Sequence, residues 1–140
     1  MTDETAIREN MMRLETAKAQ LEALSKQQEL IQLAVEEHVK ARETVKNLVK
    51  SASGDELMIP VGADSYIFAK SSERKDVVLG VGSGVSVQRS AEEAEKILDA
   101  RVEELAQAFQ KVAEMAAQTE QSIQELSEKI QEQYEKSQSG

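Results

Sequence analysis

The chain has 140 residues, with 17 Lys plus Arg against 26 Asp plus Glu, a formal net charge of -9, one His, no Cys and only four aromatic side chains. Without Cys there is no disulfide scaffold, thiolate metal site or cysteine nucleophile, and His38 alone has no imidazole partner for a zinc site, so neither metal nor cofactor is expected. An acidic chain with no basic stripe repels nucleic acid, its apolar runs are too short to span a bilayer, and the polar start Thr2, Asp3, Glu4 lacks the form of a signal peptide. A cytoplasmic protein is expected.

From about Thr5 to Lys50 there is no Gly or Pro, and Ala, Leu, Glu, Gln, Lys and Arg dominate, which predicts one long helix. A seven-residue register runs along it: Ile7, Leu14, Leu21, Gln28, Val35, Arg42 and Val49 at one position, and Asn10, Ala17, Leu24, Ile31, His38, Val45 and Ala52 at the other. Alternating steps of three and four make the narrow stripe of a coiled-coil seam, interrupted at Asn10, Gln28, His38 and Arg42.

The middle of the chain changes period. Leu57–Val61, Tyr66–Ala69, Val77–Val81 and Val85–Val87 are short β-rich runs, parted by Gly62-Ala63-Asp64, by the polar stretch Ser71–Asp76 and by Gly82-Ser83-Gly84. Four strands in two hairpins are predicted, with Pro60 at a strand end or edge because it cannot donate to a ladder.

A second helix is predicted from Ala91 to about Lys136, opened by Ser90 and Glu93 as an S-x-x-E capping box, with Glu92 and Glu95 near its positive end. Leu98, Val102, Leu105, Phe109, Val112, Ala116, Thr119, Ile123, Leu126 and Ile130 form its seam. This part also carries the acidity: residues 91–140 hold 12 acidic against 5 basic side chains.

These elements define three segments: a coiled-coil helix (1–50), an oligomerisation head of two hairpins (51–90) and a second coiled-coil helix (91–140). The hairpins reverse the chain so that two helices, each about 68 Å long at 1.5 Å per residue, pair antiparallel. The expected fold class is α+β, a long antiparallel two-helix coiled coil joined by two β-hairpins that assemble into an oligomeric β-barrel hub. The hub follows because the strands are apolar on both faces, and isolated hairpins leave open edges that a shared barrel removes. Its candidate contacts are Leu57, Ile59, Val61, Ile67, Phe68, Val77, Val78, Leu79, Val81, Val85 and Val87.

Catalysis finds little support. Gly80, Gly82 and Gly84 in GVGSGV lead into a strand, so no helix N-terminus is offered to a phosphate. Glu36-Glu37 and Glu103-Glu104 are adjacent on helices and point apart, unlike a paired-carboxylate site. His38 beside Arg42 reads as a seam interruption that sets register. No enzyme is expected. The helix ends are more informative: Ile7, Met11, Met12 and Leu14 at one terminus meet Ile123, Leu126, Ile130 and Tyr134 at the other if the helices pair. Met12 lies off the seam and is the strongest candidate for an exposed contact, Met being adaptable to irregular apolar partners.

Taken together, the flanking heptads, Glu56-Leu57-Met58-Ile59-Pro60-Val61-Gly62, and the run from Asp76 through Gly80-Val81-Gly82-Ser83-Gly84 to Ser90-Ala91-Glu92-Glu93-Ala94 resemble the alpha class of the prefoldin family over the whole chain. Two hairpins fit the alpha class, since beta-class subunits carry one. Gln88 stands where the family usually has an acidic residue. The resemblance implies a hexamer of two alpha-class with four beta-class subunits, coiled coils projecting from a double β-barrel, ATP-independent capture of non-native proteins at the tips, and delivery to a group II chaperonin. The alternative reading is a structural coiled-coil scaffold or tether that binds one folded partner.

Overall fold

A computed structural model describes residues 3–139; Met1, Thr2 and Gly140 lie outside the described residues, and with them the Thr2 of the polar start. The element order is α1 (Asp3–Lys50), β1 (Glu56–Gly62), β2 (Ser65–Lys70), β3 (Asp76–Gly82), β4 (Val85–Ser90) and α2 (Ala91–Ser139). The two long helices and the two hairpins are those predicted, to within a few residues at each boundary. The α1 register stops short of its last predicted member: the helix closes at Lys50, Ser51 Oγ donates to the Leu48 carbonyl at 2.7 Å, and Ala52 is exposed. Gly54, at φ +90°, then turns the chain in a conformation that side chains disfavour.

The chain forms two compact units, one from the segment ending at Gln32 with the segment beginning at Gln107, the other from Leu33–Ala106. In the first, which holds both chain ends, Leu24, Val112 and Ala116 are buried together with Leu21 and Ile31 against them. Further toward the ends, Asn10 Nδ2 donates to Gln133 Oε1 at 2.9 Å. The partner number on α2 rises as the α1 number falls, so the two segments run antiparallel in this unit. Every described residue of the predicted α1 seam up to Leu24, and of the α2 seam from Val112 on, is buried or half-buried, while the positions between are mostly exposed.

The second unit is organised around Val45, Leu79, Ala91, Ala94 and Leu98, with Ala41, Leu48, Val49, Val77, Val87 and Ile97 packed on them. One face of the β3–β4 hairpin therefore closes onto α1 and α2, and Arg101 Nη2 adds a 2.8 Å hydrogen bond to the Gly80 carbonyl. His38 Nδ1 donates to the Ala34 carbonyl of its own helix at 2.7 Å, and Arg42 Nη1 faces Asp99 Oδ1 at 3.5 Å, so both seam interruptions are used within the fold.

The two hairpins repeat one backbone plan with an offset of 20 residues. Glu56↔Lys70, Ile59↔Ile67 and Gly62↔Ser65 correspond to Asp76↔Ser90, Leu79↔Val87 and Gly82↔Val85, and each register shifts at the same place, around Val61 and Val81. Each loop has two residues at positive φ, Ala63 and Asp64 in the first and Ser83 and Gly84 in the second, the turn geometry that suits the twist of the flanking strands. In the second turn Gly82 itself sits at φ +100°, so its glycine is a backbone requirement rather than a phosphate contact.

The start of α2 is half of a capping box. The Glu93 backbone N–H donates to Ser90 Oγ at 3.2 Å, but the Glu93 carboxylate faces Arg89 Nε at 3.9 Å. Replacing Ser90 with Ala is expected to lower the unfolding free energy by about 1 kcal/mol, because one end-of-helix N–H loses its acceptor. Chemical denaturation of the two proteins measures this directly.

Candidate functional sites

No described helix is long and apolar enough to cross a membrane, and among the described residues no three His, Cys, Asp or Glu side chains are grouped to hold a metal ion. What the structure presents are apolar side chains left outside any core, grouped chiefly in two places.

The first is the hairpin pair. Strand alternation divides its side chains between two faces. Leu79 is 6% exposed, and Val77 and Val87 pack around it, so this face of the second hairpin is satisfied within the chain. Leu57 and Ile59, their equivalents on the first hairpin, are half-buried. The remaining candidates, Val61, Ile67, Phe68, Val78, Val81 and Val85, are exposed, Phe68 to 71% and Val78 to 68%. The opposite faces differ chemically although their backbones match. On the first hairpin Met58 pairs with Phe68 and Pro60 with Tyr66, whereas on the second Val78 pairs with Gln88 and Gly80 with Ser86. The Gln88 amide donates to Asp76 Oδ2 at 3.1 Å, a carboxylate that Arg74 Nε also faces at 3.2 Å, so an uncharged residue is well suited to position 88 here.

The second place is the end of the helix pair near the chain termini. Ile7, Leu14, Ile123, Leu126 and Ile130 are half-buried along the seam, while Met11, Met12 and Tyr134 stand outside it, Met12 at 65% exposure. Glu4, Ile7, Arg8, Met11, Met12 and Glu15 share one α1 surface and line a shallow depression. The two segments expected to meet do so, as the Asn10–Gln133 bond attests. That bond was not predicted. Asn10 was visible as a seam interruption and Gln133 continues the step from Leu126 and Ile130, but pairing them requires the interhelical register. Leu30 and Leu33 on α1 and Met115 on α2 are further exposed apolar residues that seam reading passes over.

Both places have the chemistry of association rather than catalysis. Glu36, Glu37, Glu103 and Glu104 are exposed on helices, and of the glycines of GVGSGV, Gly80 pairs with Ser86 in the ladder while Gly82 ends β3 and Gly84 lies in the β3–β4 turn. The fold and its surfaces define a two-helix protein of the hairpin-headed kind, whose hairpins and helix ends both present apolar groups.

Comparison with known proteins narrows this class. The family described as Prefoldin subunit matches residues 17–136. The chain is 34% identical to prefoldin subunit alpha of Methanothrix thermoacetophila over 109 residues, 78% of this chain and 71% of that protein. It is 35% identical to prefoldin subunit alpha of Pyrococcus horikoshii over 115 residues, 81% of this chain and 78% of that one. Among solved structures, a chain of a filamentous prefoldin from Methanocaldococcus jannaschii matches with a TM-score of 0.62 at 22% identity, covering 81% of this chain and 93% of its own. The prefoldin beta subunit from Thermococcus strain KS-1 matches with a TM-score of 0.60 at 16% identity, covering 91% and 90%. This chain belongs to the prefoldin family of chaperones, with the alpha subunits as its curated relatives.

Proposed function

We propose that this chain is the alpha-class subunit of a cytoplasmic, ATP-independent holdase, assembled as two alpha-class with four beta-class subunits, which captures non-native proteins at its coiled-coil tips and passes them to a group II chaperonin. Residues 51–90 join the heads, and the helical segments 1–50 and 91–140 carry the tips. Val61, Ile67, Phe68, Val78, Val81 and Val85 are the exposed head side chains available to partner hairpins, with the less exposed Leu57, Ile59, Val77, Leu79 and Val87 supporting them from within the hairpins. Ile7, Met11, Met12, Leu14, Ile123, Leu126, Ile130 and Tyr134 form the client surface.

The observation that carries this reading is the exposure of Met11, Met12 and Tyr134 around the terminal end of the helix pair, in a chain whose net charge of -9 keeps such a surface soluble. Each end offers little area, so its contacts are weak. Several ends sharing one hub raise the effective concentration of the next contact once the first is made.

Removing residues 1–14 together with residues 123–140 is expected to abolish suppression of aggregation of a denatured protein while the subunits still assemble. Loss of assembly in the truncated chain would overturn the division of labour. Binding of one folded partner, with no protection of denatured proteins, would instead favour the scaffold or tether.

A further inference from the structure

We propose that the Asn10–Gln133 amide pair makes the terminal end of the helix pair easy to open, so that seam side chains, and not only the exposed Met11 and Met12, become available to a captured chain. This deepens the reading of that end as a client surface and rests on it. Asn10 is 6% exposed and is the only buried polar residue on either long helix among the described residues. Its Nδ2–H donates to Gln133 Oε1 at 2.9 Å across the helix pair. A polar residue at a seam position specifies register at a cost in stability.

The place of that cost is what matters. On one side of the pair the seam continues through Leu14, buried Ala17, and then Leu24 with Val112 and Ala116. On the other, Ile7 is the last large apolar seam residue of α1, and α2 continues with exposed Tyr134, whose hydroxyl accepts from Gln138 Nε2 at 3.1 Å. Separating two leucines here would expose apolar area to water. Separating two amides exchanges one hydrogen bond for others with water, at small net cost. The final turns can therefore part at the amide layer while the apolar layers hold the remainder, a local opening drawn from the low-stability end of the molecule. Ile7 would then face outward, and the next seam layer, Leu14 with Ile130, would become the apolar floor of the opening.

The test compares the full chain with the double variant Asn10→Leu, Gln133→Leu, each assembled with a beta-class subunit. The probe is reduced, unfolded α-lactalbumin, an acidic protein whose capture by an acidic chain cannot arise from charge attraction. The leucine layer should slow amide hydrogen exchange in residues 3–14, raise the thermal midpoint and weaken capture roughly tenfold, because fewer molecules are open at any moment. Slower exchange with unchanged capture would overturn the proposal and leave the pair as a register device. Unchanged or faster exchange would overturn it as well. A second variant, Met11→Ser with Met12→Ser, should weaken capture without altering exchange. If the serines weaken capture and the leucines do not, this proposal alone falls; if the serines leave capture intact, the reading of the terminal end falls and takes this proposal with it.

Discussion

Phe68→Asp combined with Val78→Asp should give a folded protein that no longer enters an oligomer, running at the 15.5 kDa of a single chain. Both side chains are largely exposed in the isolated chain, Phe68 facing outward beside Met58 and Val78 beside Gln88. A carboxylate at either position meets water there, so helix content and thermal midpoint should hardly change. In a joined head the same carboxylates would be driven between apolar strands with no partner, which costs several kcal/mol per charge. Two such charges per chain exceed what a hairpin interface can supply. Size-exclusion chromatography with light scattering, alongside circular dichroism, separates the outcomes. A particle of unchanged mass would show that these faces lie outside the interface.

The second large effect lies inside the chain. Leu79→Ala removes a buried side chain from the cluster it forms with Val45, Ala91, Ala94 and Leu98, which holds the second hairpin onto the two helices. A buried Leu→Ala change costs about 3 kcal/mol in transfer and cavity terms. That is a large part of the stability of a small domain. The midpoint of chemical denaturation should fall accordingly, and the single chain should lose hairpin order before helix content. The same substitution at Ile59, the equivalent residue of the first hairpin, should cost less in the single chain, since Ile59 is only half-buried there. Equal costs at the two positions would contradict the inequivalence of the hairpins.

The long elements were legible because their signals repeat. Two Gly- and Pro-free stretches with steps of three and four locate both helices and both seams, and Gly62, Gly82 and Gly84 mark turns. Details that depend on one helix meeting another were not legible. The sequence shows Asn10 and Gln133 as polar positions, but their bond exists only once the antiparallel register is set. Nor does alternation reveal which hairpin packs on its own helices: Ile59 and Leu79 occupy equivalent positions, and only the surrounding Ala91, Ala94 and Leu98 distinguish them. Gly62-Ala63-Asp64 is legible as a turn, but not that Ala63 and Asp64 themselves take positive φ, which few non-glycine residues do. The 20-residue hairpin repeat is hidden in the sequence because Met58, Tyr66 and Phe68 correspond to Val78, Ser86 and Gln88, which share a backbone position and little chemistry.

The central claim is that the heads assemble these chains so that several weak terminal surfaces act on one client. Its most direct test is the native mass of the particle formed when this chain is mixed with a beta-class prefoldin subunit. The account predicts one species containing two copies of this 15.5 kDa chain and four of the partner. A mixture in which this chain stays monomeric, or forms only a one-to-one pair, would contradict it.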